Sequence, residues 1–144
     1  MQPKKIDLLI NSRWIIPVVP ENRIFENCAL AVDQQKIVGI YPQAEARSKF
    51  VADSVVDLGE HIVMPGLVNA HGHAAMSLLR GYADDLPLRP WLEEHIWPVE
   101  ARVLSEQFVA DGTDLAMAEM IKTGTTCFAD MYFFADSVAE QVRR

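Results

Sequence analysis

Two imidazoles one residue apart, His71 and His73, are the side chains in this sequence best suited to chemistry. They close a short apolar run, Pro65-Gly66-Leu67-Val68-Asn69-Ala70-His71-Gly72-His73. A strand points residues i and i+2 to the same face, so both rings can reach one metal ion. Neutral imidazole is a ligand for zinc and similar ions. The other reading is two polar residues on a half-buried strand, and the spacing alone leaves it open. A catalytic zinc also needs about three protein ligands and an open position, and the chain offers no clear third. His61 reads as a surface strand residue, His95 as a solvated or loop-packing one, and Cys127 as core on a buried strand. Glu100, after Trp97-Pro98, could reach a ligand but equally fits a solvated partner of a helix dipole. Asp130 near a strand end could support a site or cap a turn.

The elements that would position these groups fall into two parts. Ile6 to Ile10 and Trp14 to Ile16 are β-prone, and Asn11-Ser12 between them predicts a hairpin turn. Cys28 to Val32 and Lys36 to Tyr41 alternate as a second antiparallel pair joined through Asp33-Gln34-Gln35. The Ala, Glu, Arg and Lys content of residues 43–50 allows one or two helical turns. Ser54 to Leu58 and His61 to Met64 read as strands around Gly59-Glu60. Pro65 cannot donate to a ladder, so the domain boundary is set there, with residues 1–64 a small β-domain and 65–144 a second one.

In the second part, Ala74 to Gly81 reads as a short helix or loop. Prolines at 87, 90 and 98 predict an interrupted, elaborated loop with short helices between them. Ser105 caps a helix whose apolar stripe includes Phe108, Leu115, Met120 and Ile121, with Gly124 just past its end. Thr125 to Met131 reads as a buried parallel strand, and Ser137-Val138-Ala139-Glu140 as a capping box opening a last helix. That helix has no stop signal before Arg144, so the sequence reads as cut off within it.

Bulk properties narrow the function classes. Half of the 144 residues are apolar, enough for a real core. Thirteen Lys and Arg against twenty Asp and Glu give a net charge of −7, with no basic stripe, which disfavours nucleic acid as a partner. No apolar run approaches the roughly 20 residues needed to cross a bilayer. With no secretion signal and two distant cysteines, Cys28 and Cys127, outside any CxxC pair, the expectation is a soluble cytoplasmic protein with reduced thiols.

The stretch from Met64 to His73 resembles the signature of the amidohydrolase superfamily, in which a PG-[LF]-[VI]-[ND]-x-H-x-H segment forms the first barrel strand. The likeness continues through Leu79-Arg80-Gly81, Asp84-Asp85-Leu86, Trp91-Leu92, Trp97-Pro98-Val99-Glu100 and Gly124-Thr125-Thr126 to Asp130-Met131-Tyr132. This longer pattern is similar to the 5-methylthioadenosine/S-adenosylhomocysteine deaminase branch. The resemblance implies an α/β fold: the start of a (β/α)₈ barrel preceded by part of a small β-sandwich. It implies hydrolytic deamination of an adenosine-type nucleoside by a metal-activated water, with one zinc or other divalent ion per site. It carries His71 and His73 over as metal ligands and Glu100 as a contact to the substrate's ribose hydroxyls. The family's later ligands, general acid and base would lie beyond position 144, as would the strands needed to close a barrel. The alternatives are a guanine, pyrimidine or triazine hydrolase of the same superfamily, or a non-catalytic partial domain; a homo-oligomer is compatible with either.

Overall fold

The structure is a computed structural model that describes residues 2–144. The chain divides into two compact units, one ending at Pro65 and the other running from Gly66 to Arg144.

The first unit is a five-stranded sheet built around β1 (Lys4–Ile15). β2 (Phe25–Asp33) lies antiparallel to β1, and β3 (Lys36–Pro42) antiparallel to β2. Helix α1 (Gln43–Lys49) returns the chain so that β4 (Phe50–Asp57) and then β5 (Ile62–Val63) pair parallel with successive stretches of the free edge of β1. Ile6, Leu9, Ala29, Ala31 and Ala46 form its core, with Tyr41 and Phe50 against them.

The hairpin expected at Asn11-Ser12 does not form, because β1 runs straight through it. Both residues are buried, and tertiary partners accept from their side-chain donors. Asn11 Nδ2 donates to Asp57 Oδ1 at 2.6 Å, and Ser12 Oγ to the His61 carbonyl at 2.7 Å. Once those partners exist, the local preference of Asn and Ser for turns no longer decides the conformation. Between β2 and β3 the chain does turn, with Gln34 and Gln35 at φ of 50° and 62°. That is the two-residue geometry suited to strand twist.

The second unit is a βαβ arrangement. β6 (Leu67–Gly72) pairs parallel with β7 (Thr125–Asp130), and the long connection carries three helical pieces. The first is a 3₁₀ helix, Ala74–Leu79. The second is a helical run through α2 (Leu88–Pro90), a π-helical segment Trp91–Ile96, and α3 (Trp97–Val103). The prolines do not interrupt this run as expected. Pro90 sits in the first turn, where its missing N–H costs nothing. Ahead of Pro98 the helix widens, with the Trp97 N–H reaching back five residues to Leu92 O. A π-turn can accommodate a proline ring that an α-turn would clash with.

The third piece is α4 (Glu106–Lys122), capped by the Ser105 hydroxyl, which accepts from Phe108 N at 3.1 Å. It ends in Gly124 at φ 84°, a left-handed position where glycine carries no Cβ penalty. Its buried face differs from the expected stripe. Val109, Gly112, Thr113 and Ala116 are buried, while Leu115 and Ile121 are exposed. Small residues win because the helix lies almost against the 3₁₀ backbone: a Cβ on Gly112 would come within 2.5 Å of Ala75 O. Ala75, Val109 and Val138 centre this unit's core. Helix α5 (Ala135–Arg143) follows β7 but starts two residues before Ser137, so the capping box does not form. Cys127 on β7 is exposed, contrary to the expected core position, on the face opposite Phe128, which packs against the core. No helix among the described residues is long and apolar enough to cross a membrane.

Candidate metal centre

The carboxyl ends of β6 and β7 lie side by side, Gly72 opposite Asp130. In a parallel sheet this end collects the residues that leave each strand toward the following helix, and function concentrates there. The ladder between Asn69 and Gly72 is irregular. Asn69 Oδ1 accepts from the His71 N–H at 3.2 Å inside that irregularity, and His73 lies just past the strand with φ −130° and ψ 77°. A break of this kind re-aims side chains. His71 and His73 still come together, with ring centroids 5.2 Å apart and planes at 81°, and both are exposed.

The end of β7 fixes His73 on three sides. The Met131 N–H donates to Gly72 O at 2.9 Å. The Met131 carbonyl lies 2.7 Å from His73 Nδ1. A carbonyl can only accept, so Nδ1 carries the proton and Nε2 presents a lone pair. Asp130 Oδ1 accepts from Ala74 N at 2.7 Å, which pins the turn that follows the histidine. Backbone or carboxylate support of the distal ring nitrogen is what a metal-binding histidine ordinarily has.

Glu100 reaches the same end of the sheet from α3. It is buried, at 8% exposure, and its Oε1 accepts from Tyr132 Oη at 2.5 Å. The Tyr132 ring centroid is 6.3 Å from that of His73. Burial is the largest cause pushing the Tyr132 phenol above its ordinary range, followed by the hydrogen bond to Glu100 and the charges of Glu100 and Asp130. The phenol therefore stays neutral and remains a donor to the carboxylate. Tyr132 and the Met131 carbonyl were not singled out by residue type. The signal for both was position, directly after a strand end that pairs with the histidine strand.

The remaining sequence candidates are elsewhere. His95 is half-buried against Tyr82, ring centroids 6.2 Å apart, and His61 is exposed in the first unit with its ring directed at Leu58 O. Among the described residues no three His, Cys, Asp or Glu side chains gather as a metal cluster. The histidine pair thus fits a divalent ion as two ligands, with one of its outer supports in place. A cavity of about 330 Å³ borders His73, Asn69, Ser77, Glu119 and Asp130. It lies between the strands and α4, and neither His71 nor Glu100 lines it.

The model of the amidohydrolase family matches residues 62–144. The chain is 50% identical over 139 residues, 96% of its length, to a 5-methylthioadenosine/S-adenosylhomocysteine deaminase of Teredinibacter turnerae. It is 46% identical over 136 residues to a 5′-deoxyadenosine deaminase of Methanosarcina mazei, 94% of the chain against 30% of that protein. Its structure superposes with a TM-score of 0.91 and 49% identity on an adenosine deaminase from Xanthomonas campestris solved with bound zinc, covering 98% of this chain and 32% of that one. The chain spans about a third of the length of the proteins it matches, 31% for the Teredinibacter enzyme.

Proposed function

From the premise that this chain belongs to the amidohydrolase family, we propose that the protein carrying it is a metal-dependent aminohydrolase. Its substrates are adenosine-type nucleosides such as 5-methylthioadenosine or S-adenosylhomocysteine, deaminated on the purine ring. The observation that carries this reading is the His73 ring, held at Nδ1 by the Met131 carbonyl and adjacent to His71. Near-50% identity to deaminases of that specificity supports the choice of substrate. We assign the first unit to a β-sandwich and the second to the opening βα units of a (β/α)₈ barrel.

His71 and His73 hold one zinc or other divalent ion through ring nitrogens. When bound, such an ion supplies Lewis acidity and makes water a nucleophile near neutral pH. Asn69 and Met131 orient the two ligands, and Asp130 holds the backbone after His73 so that the pair keeps its spacing. Glu100 receives the sugar hydroxyls.

Two imidazoles are fewer than the three ligands of a catalytic zinc. The 144 residues alone are therefore proposed to bind metal weakly and to turn nothing over. The test is the full-length protein loaded with zinc and supplied with 5-methylthioadenosine and S-adenosylhomocysteine, followed by ammonia release and loss of adenine absorbance. Deamination of at least one is expected. Metal-loaded, folded protein that releases ammonia from neither would overturn the substrate assignment, and a panel of guanine, pyrimidine and triazine substrates would locate the replacement.

A further inference from the structure

Glu100 is a buried carboxylate whose environment is one-sided. Oε1 accepts from Tyr132 Oη, while Oε2 takes no hydrogen bond and Glu100 has no ion-pair partner among the described residues. Nor is Oε2 among the fully enclosed orphan oxygens, which are those of Asn11, Thr113 and Gln141. A buried ion normally collects several donors. Here one donor is built in and the second oxygen opens outward, which is the arrangement of a group waiting for donors from a ligand. The tyrosine that supplies the built-in donor is itself anchored, packed against Ala75, Val109 and Val138. Its neighbour Met131 is the residue that holds His73.

We propose that Tyr132 is a positioning residue for the substrate's sugar: its hydroxyl occupies Oε1 of Glu100 and leaves Oε2 to receive the vicinal hydroxyls. Because Met131 and Tyr132 are consecutive, one short segment sets both the tautomer of His73 and the placement of Glu100. The distance between the metal end and the sugar end of the substrate is then fixed by a dipeptide rather than by two independent loops. This rests on the function proposed above, in which Glu100 meets the sugar. A purely structural tyrosine would share the packing but would not discriminate between substrates with and without hydroxyls.

The experiment compares wild type, Tyr132→Phe, Glu100→Gln and the double variant of the full-length protein. The substrates are 5-methylthioadenosine and its 2′,3′-dideoxy counterpart. Tyr132→Phe should cut the preference in kcat/KM for the diol-bearing substrate about tenfold, the scale of one hydrogen bond to a charged group. The loss should lie mainly in KM, with zinc content retained, and the double variant should discriminate no worse than Glu100→Gln alone. A Tyr132→Phe protein that keeps the wild-type preference, or that loses kcat equally on both substrates, overturns the proposal. If wild type deaminates neither compound, the activity reading fails, and calorimetric binding of the same two nucleosides decides the inference. A wild-type preference for the diol that Tyr132→Phe removes sustains it, and the absence of any such preference overturns it.

Discussion

Replacing Gly112 by alanine should destabilise the protein, although alanine is the better helix former by about 1 kcal/mol. Gly112 lies mid-helix in α4, and a Cβ there would stand 2.5 Å from Ala75 O, 2.7 Å from Ala75 Cα and 3.0 Å from Ala75 C. All three are backbone atoms, so no rotamer change relieves the overlap. Restoring ordinary contact near 3.5 Å requires α4 and the 3₁₀ helix to part by about 1 Å, and a gap of that size forfeits a quarter to a half of each facing dispersion contact. The contacts at stake are those of Ala75, Val109 and Val138. Overpacking of this kind costs about 1–3 kcal/mol. Set against the propensity gain, the net is about 0–2 kcal/mol of destabilisation. Urea unfolding followed by circular dichroism measures it, with Ala118→Gly on the exposed side of the same helix as the reference. Propensity alone predicts opposite signs for the two variants, whereas the packing argument predicts that both lower the midpoint. A Gly112→Ala protein more stable than wild type would refute the close approach. Because Ala75 follows the turn that Asp130 pins after His73, the same variant should also bind zinc more weakly.

Ser105→Ala removes the cap on α4 and should cost about 1 kcal/mol in the same unfolding assay. Gln35→Gly, at φ 62° in the β2–β3 turn, should stabilise by about 1 kcal/mol, since a side chain in the left-handed region is strained there. Spectrophotometric titration should find Tyr132 ionising above the ordinary tyrosine value of 10.0. Glu100→Gln should bring it down only part of the way, because burial is the leading cause and remains. The sign for stability follows: a raised pKa in the folded state contributes fully below the unfolded value and is lost as pH rises past it. Protein stability should therefore fall above about pH 10, and less steeply in Tyr132→Phe.

What the sequence made legible were features written in local chemistry. The Gln34-Gln35 turn region, the Ser105 cap, the Gly124 stop and the spacing of His71 and His73 each follow from residue type and period. What it concealed were features decided at a distance. Asn11 and Ser12 read as a turn until Asp57 and the His61 carbonyl accept from their side-chain donors. Pro98 reads as a helix break until a π-turn widens around it. Gly112 carries no periodic signal, yet it sets how closely α4 approaches. At the site, two imidazoles are visible by spacing, but the carbonyl that orients one of them belongs to Met131, a residue whose side chain says nothing about the role. The Glu100 carboxylate was legible as an acid and not as a buried one, since its hydrogen-bond partner Tyr132 lies 32 positions later, past the end of β7.

The most direct test of the account is zinc bound by the full-length protein, its site characterised by X-ray absorption in wild type, His71→Ala and His73→Ala. The account predicts imidazole nitrogens at about 2.0–2.1 Å in wild type, one fewer of them in each variant, and weakened retention of the ion in both, while circular dichroism stays that of the folded protein. An unchanged nitrogen shell and unchanged zinc content in both variants would contradict it.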